Sequence, residues 1–167
     1  TVQSILKCIP SLPHLERSHF LRYLIKLCNS KLSVHRLVGC ELIGSVLNQE
    51  WFQTNHKMDA NHPSAGSPQA LQQQQQQTPQ AAIVEPDLLP AALLKALQGR
   101  LLDRIAAVRV RAAISLEAAL ETNHDHIDDT ILGSLRKRAT KDETAMVRKA
   151  AISTLTKLLL QKQDWFS

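Results

Sequence analysis

The chain has 167 residues, a formal net charge of +5 and a pI near 9.3. That length suits one domain of ordinary size, and the basic balance permits acidic partners or nucleic acid without selecting either. Aromatics make up only 4% against 44% hydrophobic residues, so Leu, Ala, Ile and Val dominate, as in packed helices rather than strands. No apolar run reaches the length of a membrane span, and the opening segment does not read as a secretory leader.

The chain opens without a Met on Thr1-Val2-Gln3-Ser4-Ile5-Leu6, which reads as helix. A piece of a longer protein is the expectation. A helix is then predicted over 15–28, with Pro13 suited to its start. A second follows over 34–51, with Ser33 as its N-cap. Within it, Arg36 is followed at three, seven and eleven residues by Gly39, Ile43 and Leu47. Those steps hold one face of an α-helix.

The next stretch, 53–86, carries Pro63, Gly66, Pro68, Pro79, Pro86 and six consecutive glutamines at 72–77. It has almost no charge and almost no periodic apolar residues. Such a segment buries too little surface to offset its ordering entropy, so a disordered linker is expected.

Helical periodicity resumes over 88–102, and the face seen after Arg36 returns as Arg109, Ala112, Leu116 and Leu120. A polar turn is expected at His124-Asp125-His126-Ile127-Asp128-Asp129, where Asn123 and the aspartates suit a helix stop and a new N-cap. Another helix is predicted over 127–139, and the same face appears a third time as Arg148, Ala151, Leu155 and Leu159. The second and third copies align without gaps at a period of 39 residues, with Asp103 matching Asp142. Arg36 and Arg109 lie 73 residues apart, and the excess over one period corresponds to the linker. Two helices per roughly 40 residues is the spacing of stacked-repeat proteins.

The repeated positions carry physical expectations. Gly39, Ala112 and Ala151 are small where two helices approach, and Ile43, Leu116 and Leu155 fill the shared core. Asp103 and Asp142 stand in the turn before a core helix, where a carboxylate accepts backbone N–H groups. Arg36, Arg109 and Arg148 admit two readings. Each lays its stem along the core and reaches a turn carboxylate or carbonyl of its own or an adjacent repeat. Alternatively, the three form a phosphate-binding row.

Two basic runs add to the second reading: Arg100, Arg104, Arg109 and Arg111, then Arg136, Lys137, Arg138 and Lys141. They read as solvated helix faces, as contacts to DNA phosphates or an acidic partner, or, for the second run, as a nuclear localisation signal. No aromatic interleaving supports base stacking, so any DNA contact should be with phosphates and depend on salt. Trp51-Phe52 and Trp165-Phe166 each follow a core helix, as packing residues or as aromatic anchors for a partner.

Catalytic and cofactor signals are missing. There is no Gly-rich phosphate loop, zinc-protease helix motif or nucleophile elbow, so no enzyme, cofactor or small-molecule substrate is expected. Cys8, Cys28 and Cys40 form no Cys-x-x-Cys pair, and read as half-buried reduced thiols ahead of a Cys/His zinc site.

The stretches Asp103-x4-Val108-Arg109-x2-Ala112-x3-Leu116 and Asp142-x4-Val147-Arg148-x2-Ala151-x3-Leu155 resemble HEAT repeats. The resemblance implies an all-α HEAT-repeat α-solenoid: first-copy helices over 1–52, a Gln/Pro-rich insert over 53–86, and two in-phase repeats over 87–167. Further repeats are expected on both sides, because each hairpin buries its faces only against neighbours. Within the HEAT class, Ser33-Val34-His35-Arg36-Leu37-Val38-Gly39-Cys40-Glu41-Leu42-Ile43 and Leu97-Gln98-Gly99-Arg100-Leu101-Leu102-Asp103 resemble the D-type non-SMC subunit of condensin II. That resemblance implies a nuclear, chromosome-associated scaffold. Its partners would be the kleisin and SMC subunits, with DNA contacts from the HEAT surface and the ATPase on the SMC partners. The alternative is another HEAT scaffold, of a nuclear transport receptor or a phosphatase, that binds proteins only. The glutamine-rich insert departs from the condensin pattern.

Overall fold

The computed structural model describes residues 2–49, 52, 89–121 and 127–163. Among them there are seven α-helices and no strand. They are α1 (Val2–Cys8), α2 (His14–Cys28), α3 (Ser33–Leu47), α4 (Leu89–Arg100), α5 (Ala106–Leu120), α6 (Asp129–Lys141) and α7 (Ala145–Gln163), with a 3-10 turn at Ile9–Ser11 after α1. The expected linker 53–86 lies outside the described residues, as do Trp51, Trp165, Phe166 and the turn residues 122–126.

The helices pair through short turns. α2 packs on α3, α4 on α5, and α6 on α7. The second helices also pack in series, α3 on α5 and α5 on α7, while α2 packs on α4. α4 and α6 meet through Gln98, whose Nε2 donates to Thr130 Oγ1 and Ser134 Oγ at 3.3 Å each. Two rows of helices result, an all-α arrangement compatible with an α-solenoid.

The core lies between the rows. Leu24, Ile43, Leu47, Leu93, Leu97, Leu101, Leu116, Leu120 and Leu135 are fully buried. Ile43–Leu47, Leu93–Leu97–Leu101 and Leu116–Leu120 recur at four-residue steps because that spacing keeps one stripe facing inward. Pro90 is tolerated in the first turn of α4, where its missing N–H has no intrahelical acceptor. Asp128 caps α6, its carboxylate accepting from Ile131 N at 2.8 Å.

Several local expectations are corrected. Ser33 is the first residue of α3 and not its cap: Leu32 takes the N-cap position, with no side-chain cap bond. The hydroxyl upstream does the local work instead, with Ser30 Oγ accepting from Leu32 N at 3.2 Å. α3 ends at Leu47 rather than running on through residue 51. Cys28 and Cys40 are fully buried rather than half-buried, with their sulfurs 3.7 Å apart, and Cys8 is exposed; all three are free thiols.

Close backbone approach appears at two glycines. A Cβ on Gly39 would stand 2.7 Å from the backbone nitrogen of Cys28, so the α2–α3 crossing requires glycine. A Cβ on Gly44 would stand 2.7–2.8 Å from Ser115, including its backbone, so the α3–α5 crossing requires glycine too. By contrast, a Cβ on Gly133 meets nothing within 4 Å. Gly44→Ala should therefore destabilise the chain by about 1–3 kcal/mol through overpacking. Gly133→Ala should stabilise it by roughly 0.5–1 kcal/mol through helix propensity. Urea unfolding of the two variants checks the opposite signs.

Candidate interface at the turn edge

The turns between paired helices lie side by side, because arginines bind them together. Arg36 on α3 sends Nη1 to the carbonyls of Ser30 and Lys31, at 3.0 and 2.8 Å, in its own turn. Its Nε and Nη2 then cross to the next turn and grip both carboxylate oxygens of Asp103, at 2.6 and 3.0 Å. Arg109 on α5 repeats the arrangement one pair later. Its Nη1 donates to the Asp103 and Arg104 carbonyls at 2.8 and 3.3 Å. Its Nε and Nη2 reach Asp142, at 2.8 Å each.

The carboxylates are fully engaged. Asp103 also accepts from Ile105 N at 2.9 Å, and Asp142 from Thr144 N at 3.0 Å, which fixes the turn into the following helix. A second guanidinium sits on each: Arg100 Nη1 at 3.2 Å from Asp103 and Arg138 Nη1 at 3.3 Å from Asp142. Arg36, Asp103, Arg109 and Asp142 are all buried. Burial alone would favour the neutral acid, but the arginine and backbone N–H hydrogen bonds outweigh it. Both carboxyls are held below the usual Asp range. Arg109 is raised above its ordinary value by its hydrogen bonds to Asp142.

Arg148 on α7 begins a third rung. Its Nη1 donates to the Asp142 and Glu143 carbonyls at 2.8 and 3.0 Å. Among the described residues no carboxylate meets its Nε or Nη2. The small repeat positions Ala112 and Ala151 are buried, and so is Leu116, while Leu155 is partly buried against the core.

The structure separates the expected cationic residues into groups. Arg100 and Arg138 turn inward to Asp103 and Asp142, and each leaves a buried Nε without a partner. Arg104 is exposed at the second turn in line with Lys31 at the first, each five residues before the rung arginine; at the third turn that place is held by exposed Glu143, whose carboxylate lies 3.6 Å from Arg109 Nη2, and Lys141 is exposed at the end of α6. Arg136 and Lys137 are exposed on the last turns of α6, and Arg111 is half-buried on α5. A cleft of about 630 Å³ opens between the first two turns, with Lys31, Arg36, Arg100 and Arg104 set against the single carboxylate of Asp103. Lys31 stands outside both basic runs, and only the repeat phase marks it, five residues before Arg36 as Arg104 is before Arg109. The equivalence of Arg100 and Arg138 was hidden, since they lie 38 residues apart and miss the 39-residue phase by one.

Among the described residues no group of three His, Cys, Asp or Glu could hold a metal ion. No described helix is long and apolar enough to cross a membrane. No protein-family model, curated protein or solved structure matches the chain.

Two predictions follow from the rungs. Arg109→Ala should cost about 3 kcal/mol, because it strands buried Asp142 with only Arg138 beside it. A lower melting temperature with unchanged affinity for duplex DNA identifies a framework residue, and the reverse result identifies a binding one. The second concerns acid. The folded pKa values of Asp103 and Asp142 are depressed, so their stabilisation is complete above the unfolded value of about 3.9 and is lost as pH falls through the folded values. Thermal melts across that range should show the loss, and Asp142→Asn should flatten it.

Proposed function

We propose that this chain is a non-enzymatic segment of a HEAT-type α-solenoid, serving as scaffold in a condensin-type complex on nuclear chromosomes. The observation that carries the solenoid reading is the recurrence of one rung. Arg36 with Asp103 and Arg109 with Asp142 join successive helical pairs by the same atoms. A repeated joint favours a chain of like units, whose function lies in an extended surface rather than a closed pocket. The condensin assignment is supported by the resemblance at Ser33–Ile43 and Leu97–Asp103. In this reading the partners are kleisin and SMC subunits, and no cofactor or small-molecule substrate takes part.

The turn edge is the proposed DNA-facing side. Lys31, Arg104 and Lys141 are exposed there, and the first rung joins two guanidiniums to one carboxylate, whereas exposed Glu143 beside Arg109 offsets the charge of the second. Such an edge attracts backbone phosphates without reading bases, so binding should weaken steeply with salt.

Native purification with mass spectrometry tests the assignment. Recovery of SMC and kleisin subunits is expected, whereas recovery of import cargo or a phosphatase would move the chain to another HEAT scaffold. DNA binding across salt tests the edge. Replacing Arg104 and Lys141 with Ala should reduce the log–log salt slope by about one per removed phosphate contact. No affinity at low salt would remove the direct DNA role.

A further inference from the structure

We propose that Cys28 and Cys40 form an oxidation site, a dithiol that a peroxide closes to a reversible disulfide across the α2–α3 crossing. The inference stands apart from the scaffold reading, because it rests on the first helical pair and the residues packed around it.

The two sulfurs lie 3.7 Å apart, and both residues are fully buried. A disulfide needs about 2 Å between the sulfurs and backbones close enough for the two Cβ atoms to meet. Gly39 supplies the second condition. A Cβ there would stand 2.7 Å from the Cys28 nitrogen and 2.8 Å from its Cα, so α2 and α3 nearly touch beside Cys40. Closing the remaining sulfur gap falls to the side chains. Packing alone does not ask for thiols here. The next pair carries Leu101 and Ala113 in the same phase to Arg109 as Cys28 and Cys40 have to Arg36, and both are fully buried. A metal is a poor alternative occupant, since among the described residues no group of three His, Cys, Asp or Glu could hold one.

The two thiols are unequal. The hydrogen bond from Cys40 holds Cys28 below the ordinary thiol value against the effect of burial, with help from the charges of Arg100 and Arg36. Cys40 is pushed up by that same bond and by burial. Cys28 is therefore the attacking thiolate. Its sulfur takes one oxygen of hydrogen peroxide, the O–O bond breaks, and the other oxygen leaves as water, giving a sulfenic acid at Cys28. The Cys40 sulfur then attacks the Cys28 sulfur. The S–S bond forms, the S–O bond breaks, and hydroxide leaves with the Cys40 proton as a second water. The protein loses two hydrogens and the peroxide is reduced. Because both thiols are buried, the oxidant enters when the turn after Cys28 opens. Cys28 is the last residue of α2 and stands two residues before the Ser30 carbonyl that Arg36 holds. The disulfide would thus pin the first turn, which carries Lys31, onto α3.

The full chain with exposed Cys8 changed, Cys8→Ser, keeps the pair as its only thiols. Treated with hydrogen peroxide while folded, then blocked with N-ethylmaleimide in urea and mapped by mass spectrometry, it should yield one peptide link between Cys28 and Cys40 of the same chain. Both blocking sites should be lost together and return with dithiothreitol. The oxidised chain should melt several degrees higher, since the cross-link restricts the unfolded state. Adding Cys40→Ala, the residue that Ala113 already places at this position one pair later, should remove that rise and leave a Cys28 sulfenic acid that dimedone labels. Two thiols that still take maleimide after peroxide overturn the proposal, as do separate oxidation to sulfinic acids and a link between two chains. So does a linked chain that melts below the reduced one, or a Cys40→Ala chain whose melting temperature rises equally on oxidation.

Discussion

Arg36 and Arg109 each cross from one helical pair to the next and close a two-pronged fork on a buried aspartate. The geometry asks for arginine. One guanidinium must satisfy two carbonyls of its own turn and two oxygens of a foreign carboxylate at once, which needs a planar set of donors that never loses its charge. A lysine could supply the charge but not the fork. The aspartate is equally constrained, since it also accepts a backbone N–H at the start of the following helix. One side chain therefore ties two turns and a helix start into a single joint.

The rest of the architecture follows from repeating that joint. Because each rung holds neighbouring turns at a fixed separation, α3, α5 and α7 are drawn into one row. Their contacts then demand small residues where backbones meet, at Gly44 against Ser115 and at Ala113, whose carbonyl accepts from buried Thr154 Oγ1 at 3.2 Å. Glu117 and Lys157 add an ion pair further along the same α5–α7 crossing. That pair is more exposed than the rungs, so its contribution is correspondingly small.

The rungs also organise the surface. Each buries one carboxylate between two guanidiniums, which leaves a net positive charge at the Asp103 joint, whereas exposed Glu143 beside Arg109 balances it at the Asp142 joint. Exposed Lys31 and Arg104 stand beside the first joint, and Lys141 is exposed near the second together with Glu143. In the proposed reading, structural and binding roles are adjacent without being the same residues. The buried arginines hold the turns, and the exposed cations are those free to meet a phosphate or an acidic partner.

The sequence by itself determined the helices and their phase. The three, four and four residue steps after Arg36, Arg109 and Arg148 mark one helical face each time, and backbone periodicity needs no tertiary contact to be legible. Asp103 and Asp142 were readable as turn residues for the same local reason. Which arginine meets which aspartate was decided by the fold, because the partners lie 67 and 33 residues apart and only stacking brings them together. Stacking also singled out Gly44, which looks like any helix glycine until Ser115 arrives against it. It divided the basic runs as well, turning Arg100 and Arg138 inward and leaving Arg104 and Lys141 in solvent. Charge and periodicity are properties of the chain, whereas burial and pairing depend on what the next helix covers.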